Sequence, residues 1–288
     1  MADVLVTGAT GLLGASVVRL LAGDHRVWAI ARRPPEDHGG VCWVTHDLRR
    51  PALPADLPGH VDVVIHLAQA REFREFPARA PDTYAVNVGS TALLLDFAVA
   101  AGARQFIVAS TGGVYDRGSE PHQEDEPTRL EGCPSFYLAT KMASEVLVRA
   151  FGSQFGVCVL RPFFIYGRGQ DAAMLLPRLV ERLRAGQTIS LDGVDGMRFN
   201  PVHVSDAARA VVSAMELGDS WVVNVAGPQV LSLREAVEEL AAQLGVPAQI
   251  AASPRKSPTD YLADMTRMTA LLPAPRVTLR EAAVELCG

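Results

Sequence analysis

The chain has 288 residues, 49% of them hydrophobic and 20% charged, which supplies ample material for a packed core and excludes a disordered or fibrous protein. A net charge of −5 and the lack of any basic run give no electrostatic reason to bind nucleic acid, so the expected ligand is a small molecule. Cys42, Cys133, Cys158 and Cys287 are scattered without a CxxC spacing, which argues against a metal site or a disulfide framework and for a reducing, cytoplasmic setting. The first residues lack the pattern of a signal peptide, and no run of about 18 apolar residues stands out, so no membrane association is expected.

In chain order, Val4-Leu5-Val6 reads as a strand, followed by a helix from about Leu12 to Ala22 and by strands at Arg26–Ile30 and Val61–His66. Further strands are expected at Gln105–Ala109, Val157–Leu160 and Trp221–Val225, each after a long apolar or amphipathic segment. Strands alternating with helices imply an α/β fold, a Rossmann-type doubly wound parallel sheet. After Arg161-Pro162 the rhythm changes to a helix near Ala172–Ala185, a loop at Asp192–Gly196 and a helix at Ser205–Leu217. The last 60 or so residues show one clear helix, Ser232–Leu244, with Ser232 and Glu235 spaced as a capping box. Residues 1–161 with 201–225 are therefore expected to form a dinucleotide-binding domain, and 162–200 with 226–288 a smaller C-terminal substrate-binding lobe.

Gly8, Gly11 and Gly14 follow a strand and open a helix. Missing side chains there permit a tight turn, close approach of a pyrophosphate to backbone N–H groups, and helix-to-strand packing. Where NAD sites usually end the second strand in an acid, this chain has Ala31-Arg32-Arg33, two guanidinium groups suited to a 2′-phosphate. NADP(H) is thus the expected cofactor, with NAD(H) the alternative should the two arginines be solvated loop charges. Asp47, beside Leu48, is placed to accept from an adenine amino group.

Tyr137 and Lys141 are four residues apart on a predicted helix, hence on one face. An adjacent ammonium favours the phenolate and is expected to bring the tyrosine below its ordinary value, so that it exchanges a proton near neutrality. The lysine can also hydrogen-bond the nicotinamide ribose. Ser110-Thr111 follow the strand Gln105–Ala109 at its carboxyl end, where open α/β sheets bind ligands, and a hydroxyl there could hold the substrate oxygen.

These motifs, with Asp47-Leu48, His66-Leu67-Ala68-Gln69-Ala70, Asn87-Val88-Gly89-Ser90-Thr91, Ser110–Tyr115, Arg161–Gly167, Val202–Asp206, Asn224, Tyr261–Asp264 and Pro275–Leu279, resemble the extended short-chain dehydrogenase/reductases, the branch that modifies nucleotide-linked sugars. The resemblance implies Tyr137 as general acid or base, Lys141 as its tuner and ribose ligand, and Thr111, ahead of Ser110, as the second hydroxyl. It implies a cofactor site at Gly8, Thr10, Gly11, Leu12, Leu13, Gly14, Arg32, Arg33, Asp47, Leu48, Leu67, Ala68, Gln69, Asn87, Ala109, Lys141 and Pro162. Asn87 matches the asparagine that supports the tyrosine-bearing helix. Arg198 and Arg255, or Lys256 beside it, are candidates for the substrate's phosphates, although the family's usual arginine position holds Phe199. The resemblance also implies a homodimer through helices containing Ala92–Ala101 and Val146–Phe151.

Sugar-nucleotide 4,6-dehydratases carry an Asp-Glu pair after this threonine; here the pair is Gly112-Gly113, which disfavours dehydration by that route. The leading expectation is an NADPH-dependent reductase of a keto-sugar nucleotide, a 4-keto-6-deoxyhexose. The alternatives are an NAD(P)-dependent sugar-nucleotide epimerase, a reductase of a non-sugar carbonyl, and a dinucleotide-sensing protein without turnover. No metal is expected.

Overall fold

Val4, Leu5 and Val6 are wholly buried because the strand they form, β1 (Asp3–Thr7), lies inside a seven-stranded sheet. In this computed structural model the described residues are 1–116, 118–128, 135–253 and 259–288. Arg255, Lys256 and Cys133 lie outside them.

Helix α1 (Leu12–Leu21) connects β1 to β2 (Arg26–Ala31), and β3 (Cys42–Thr45) and β4 (Val63–His66) follow. Next come α2 (Ala80–Tyr84), a π turn (Ala85–Gly89), α3 (Ser90–Ala100), β5 (Gln105–Ala109), a 3-10 turn (Gly112–Val114), α4 (Phe136–Ala150) and β6 (Gly156–Pro162). The sheet order is β11-β6-β5-β4-β1-β2-β3, with β11 (Trp221–Val225) beside β6. From β3 to β6 every pair is parallel, with Val4 opposite both Val27 and Val63. The chain runs outward from β1 to β3 and then crosses back to β4, which opens a crevice at the carboxyl ends of β1 and β4. Strands buried on both faces explain the near-continuous apolar run of β5.

The remaining elements are β7 (Ile165–Tyr166), α5 (Leu175–Arg184), β8 (Ile189–Asp192), β9 (Arg198–Phe199), β10 (Val202–His203) and α6 (Val204–Ser213), before β11. After it come β12 (Leu231–Ser232), α7 (Leu233–Leu244), β13 (Ile250–Ser253), α8 (Thr266–Leu271) and α9 (Leu279–Cys287). The capping box of Ser232 and Glu235 is present at α7. The expectation of a single helix in the last stretch is corrected: α9 also forms, on an equivalent box of Thr278 and Glu281, and buries Leu279, Ala282 and Ala283.

Two compact units result: residues 1–115, 127–161 and 208–223, and residues 116–126, 162–207 and 224–288. The core of the first joins Leu5, Val64, Phe106 and Val157 of the sheet to Leu94, Leu95 and Ala98 of α3 and Val148 of α4. The core of the second joins Leu179 and Leu183 of α5, Val237 and Leu240 of α7, and Leu279 of α9 around Phe199. One stretch departs from the expectation that no apolar run approaches membrane length. The continuous helix Ala80–Ala100, 21 residues, meets the length and hydropathy needed, and its Leu94, Leu95 and Ala98 are buried in the first core.

Candidate active site

Gly8 leaves β1 with φ of +69°, and a Cβ there would lie 2.7 Å from the Leu67 carbonyl carbon and the Ala68 nitrogen. A Cβ on Gly14 would lie 2.1 Å from the Gly8 carbonyl oxygen, so this glycine lets α1 lie directly on the turn. Gly11 donates its N–H to the Gly8 carbonyl at 2.9 Å and precedes α1, whose first amides receive no side-chain cap. A cradle that side chains would fill, facing the uncapped positive end of a helix, fits a dinucleotide pyrophosphate. Thr10 is exposed there, and Leu12 and Leu13 are half-buried.

Arg32 and Arg33 stand exposed just beyond β2. The Asp47 carboxylate accepts from Arg49 through Nε at 3.0 and 3.1 Å, Nη2 at 2.5 Å and the backbone N–H at 3.0 Å. These bonds, with Arg32 adding its charge, hold Asp47 at about 2. The partner that the structure gives Asp47 is thus Arg49, a short-range contact the adenine expectation did not consider. Leu48 packs into the core.

Beneath the turn, His66 is locked between two threonines. The Thr91 hydroxyl donates to the Asn87 carbonyl at 2.7 Å and so accepts from His66 Nε2 at 3.1 Å. Thr7 Oγ1 accepts the Ala68 N–H at 3.3 Å and so gives its proton to His66 Nδ1 at 2.7 Å. Those roles require the neutral Nε2–H tautomer, and burial holds His66 down at about 3. Asn87, in the π turn, accepts from the Ala70 N–H at 3.0 Å and donates to Thr140 Oγ1 at 2.9 Å. It therefore ties the loop bearing Leu67, Ala68 and Gln69 to α4.

On α4, Lys141 is buried and its Nζ donates to the Ala109 carbonyl at 2.8 Å, with burial bringing it down to about 8. Tyr137 donates its hydroxyl to Gln69 Oε1 at 3.1 Å, and the Phe73 ring lies 4.6 Å from its own. Burial pushes the Tyr137 phenol up, which corrects the expectation of a lowered value. Among the described residues Arg74 opposes that rise, and Lys141 Nζ, which donates to Ala109, lies 6.0 Å from the centre of the Tyr137 ring. Phe73 and Arg74 were missed because nothing local in the sequence links them to the helix. Thr111 accepts the Gly113 N–H at 3.2 Å, capping the 3-10 turn that α4 packs against. A Cβ on Gly113 would come within 3.0 Å of the end of the Leu138 side chain.

Also missed was Glu145, one turn beyond Lys141 and buried. It accepts from Ser110 Oγ at 2.5 Å, from Arg161 Nε at 3.0 Å and Nη2 at 2.7 Å, and from Arg149 at 3.1 Å. The spacing Tyr137, Lys141, Glu145, Arg149 was available in the sequence as one helix face. Tyr137, Lys141, Thr111, Gln69, Asn87, Ala109 and the glycine turn all belong to the first unit. Arg198 belongs to the second, where Asp260 takes its Nε at 2.9 Å and the Ser119 carbonyl its Nη2 at 2.8 Å; Pro162 ends β6. Among the described residues no cluster of metal ligands occurs.

Residues 4–226 match the NAD dependent epimerase/dehydratase family. The chain belongs to that family. It is an NAD(P)-dependent oxidoreductase of the extended short-chain dehydrogenase/reductase type. It is 28% identical over 293 residues to a dTDP-4-dehydro-6-deoxy-D-allose reductase of Streptomyces bikiniensis, covering 93% of this chain and 90% of the relative. It is 30% identical over 267 residues to a dTDP-glucose 4,6-dehydratase of Streptomyces griseus, covering 81% and 76%. A solved structure of MoeE5 in complex with UDP-glucuronic acid and NAD superposes with a TM-score of 0.83 at 29% identity, covering 98% of this chain and 97% of that one.

Proposed function

We propose that the protein is a reductase that uses NADPH to reduce the ketone of a nucleotide-linked 4-keto-6-deoxyhexose. The observation that carries this reading is the end of β2, where two exposed arginines stand in place of the acid that NAD sites use. A cofactor consumed and exchanged at each turnover suits a reductase, and Gly112-Gly113, standing where dehydratases carry an Asp-Glu pair, speak against dehydration.

In this reading Gly8, Gly11 and Gly14 receive the pyrophosphate, Arg32 and Arg33 the 2′-phosphate, and Leu67, Ala68 and Pro162 border the cofactor. Bound there, the dinucleotide supplies the hydride. Lys141 keeps one N–H on Ala109 and offers the others to the ribose hydroxyls. Tyr137 exchanges Gln69 for the ketone oxygen and delivers its proton there, while Thr111, whose oxygen already accepts from Gly113, donates its own hydroxyl to the same oxygen. Arg198 and Arg255 are the proposed contacts to the substrate's phosphates. The test is NADPH oxidation over a panel of keto-sugar nucleotides; failure on every member refutes the reading.

The second reading, a sugar-nucleotide epimerase, is favoured by the NAD held in the MoeE5 structure. It uses the same residues and predicts tightly retained NAD with no net consumption. In either reading we propose a cytoplasmic homodimer built on α3 and α4, where Val99 and Val146 are exposed. A monomer by light scattering at micromolar concentration refutes the dimer.

A further inference from the structure

We propose that Glu145 is the positioning residue of this site: it fixes the helix carrying Tyr137 and Lys141 to the turn carrying Thr111, and holds a negative charge one helical turn from the lysine. The inference shares its site with the proposed reductase but depends on that reading only for its kinetic arm.

Both ends of the turn that bears Thr111 are tied to this carboxylate. At the start, the Ser110 hydroxyl donates to Glu145 Oε1 at 2.5 Å. At the far end, Tyr115 accepts through its hydroxyl from Arg161 Nη1 at 2.7 Å, and Arg161 in turn grips Glu145 with Nε and Nη2. The guanidinium carbon also lies 4.8 Å from the centre of the Tyr115 ring. Arg161 is 1% exposed and Glu145 4%, so the pair is removed from water. A buried ion pair is a poor source of stability by comparison with apolar packing, whereas its geometry is highly directional. Such a clamp suits a site in which Tyr137 and Thr111 must address one oxygen from two different elements.

Glu145 also faces Lys141 electrostatically, opposing the burial that lowers the ammonium. Of the elements packed on α4, the π turn, β5 and the 3-10 turn carry no charged side chain. Asp82 of α2 is held by Arg79 and Arg49, and Asp96 of α3 is exposed. His66 of β4 is neutral, Arg161 of β6 is spent on Glu145, and Tyr137 lies on α4 itself. Among the described residues, Glu145 is the acid whose charge supports the Lys141 ammonium.

The experiment is a pH titration of Lys141 by 13C-lysine NMR in cofactor-free protein, with Lys141→Met to assign the signal, for wild type, Glu145→Gln, Glu145→Asp and Ser110→Ala. Glu145→Gln should titrate at lower pH than wild type, and Glu145→Asp should recover most of that shift. In kinetics Glu145→Gln should lose kcat by roughly 10- to 100-fold, the scale of a catalytic group slightly misplaced, with little change in KM. The basic limb of its pH profile should move to lower pH. Ser110→Ala should lose kcat while Lys141 titrates as in wild type, which separates clamping from charge. If Glu145→Gln does not fold, Glu145→Asp and Ser110→Ala decide: full kcat in both overturns the proposal. An unchanged Lys141 titration in folded Glu145→Gln overturns it as well. A wild-type protein inert toward keto sugars defeats the reductase reading instead and leaves the NMR arm readable.

Discussion

Replacing Gly14 with alanine tests the turn at its tightest point. The added Cβ would sit 2.1 Å from the Gly8 oxygen, 2.7 Å from its carbonyl carbon and 2.9 Å from the Ala9 Cα, well inside the 3.4 Å at which ordinary contact begins. All three neighbours are backbone, so no side chain can swing aside and α1 must lift from the turn. Overpacking a well-filled site costs about 1–3 kcal/mol, and with backbone on every side we take the upper figure. In a domain of this size each kcal/mol lowers the melting temperature by about 2–4 °C, so a fall of about 10 °C is expected. A turn displaced from the pyrophosphate should also bind dinucleotide more weakly. Gly11→Ala is the control for melting alone, because its Cβ meets only the Gly8 oxygen, at 3.1 Å, and a shift of a few tenths of an ångström relieves it, while its methyl still enters the space given to the pyrophosphate. Thermal melts and fluorescence titration with NADPH read both variants. Wild-type melting and affinity in Gly14→Ala would refute the reasoning.

Arg32→Ala should weaken NADPH by roughly 10-fold or more, the scale of a lost charge-assisted bond, and leave NADH nearly unchanged; equal losses in paired titrations remove the 2′-phosphate assignment. Phe73→Ala should uncover the Tyr137 ring and bring its phenol down toward the ordinary value, read by ultraviolet difference titration against Tyr137→Phe. Tyr137→Phe itself should abolish turnover while retaining cofactor binding, and unchanged activity would show that another group moves the proton. His66 is neutral when folded, with its value held at about 3 against 6.5 unfolded, so its contribution to stability is complete above 6.5. As pH falls from 6.5 toward 3 the unfolded chain takes the proton first, at a slope of about 1.4 kcal/mol per pH unit; urea melts of His66→Gln should lack that slope.

The parts legible in the sequence are those written locally. A strand, three glycines and a helix lie between Asp3 and Leu21, and the apolar run of β5 states its own burial. Ser232 and Glu235 announce α7, and Thr278 and Glu281 carry the same signal for α9. What could not be read depends on segments distant in the chain. Tyr137 carries a raised phenol because it is covered, with Phe73 and Gln69 against it, and Lys141 donates a hydrogen bond from α4 to Ala109 of β5. The YxxxK spacing specifies a shared helix face and says nothing of what covers it. The Glu145–Arg161 pair is likewise invisible until β6 lies beside β5.

In the proposed reaction exchangeable NADPH reduces a keto sugar with Tyr137 as proton donor. Its most direct test is to strip the purified protein of dinucleotide, add NADPH with a panel of nucleotide-linked 4-keto-6-deoxyhexoses, and follow cofactor absorbance and sugar product together. NADPH should be consumed in step with a new sugar hydroxyl, a reaction lost in Tyr137→Phe and far slower with NADH. Protein that carries stoichiometric NAD through purification, leaves NADPH untouched and interconverts two sugar epimers would contradict it.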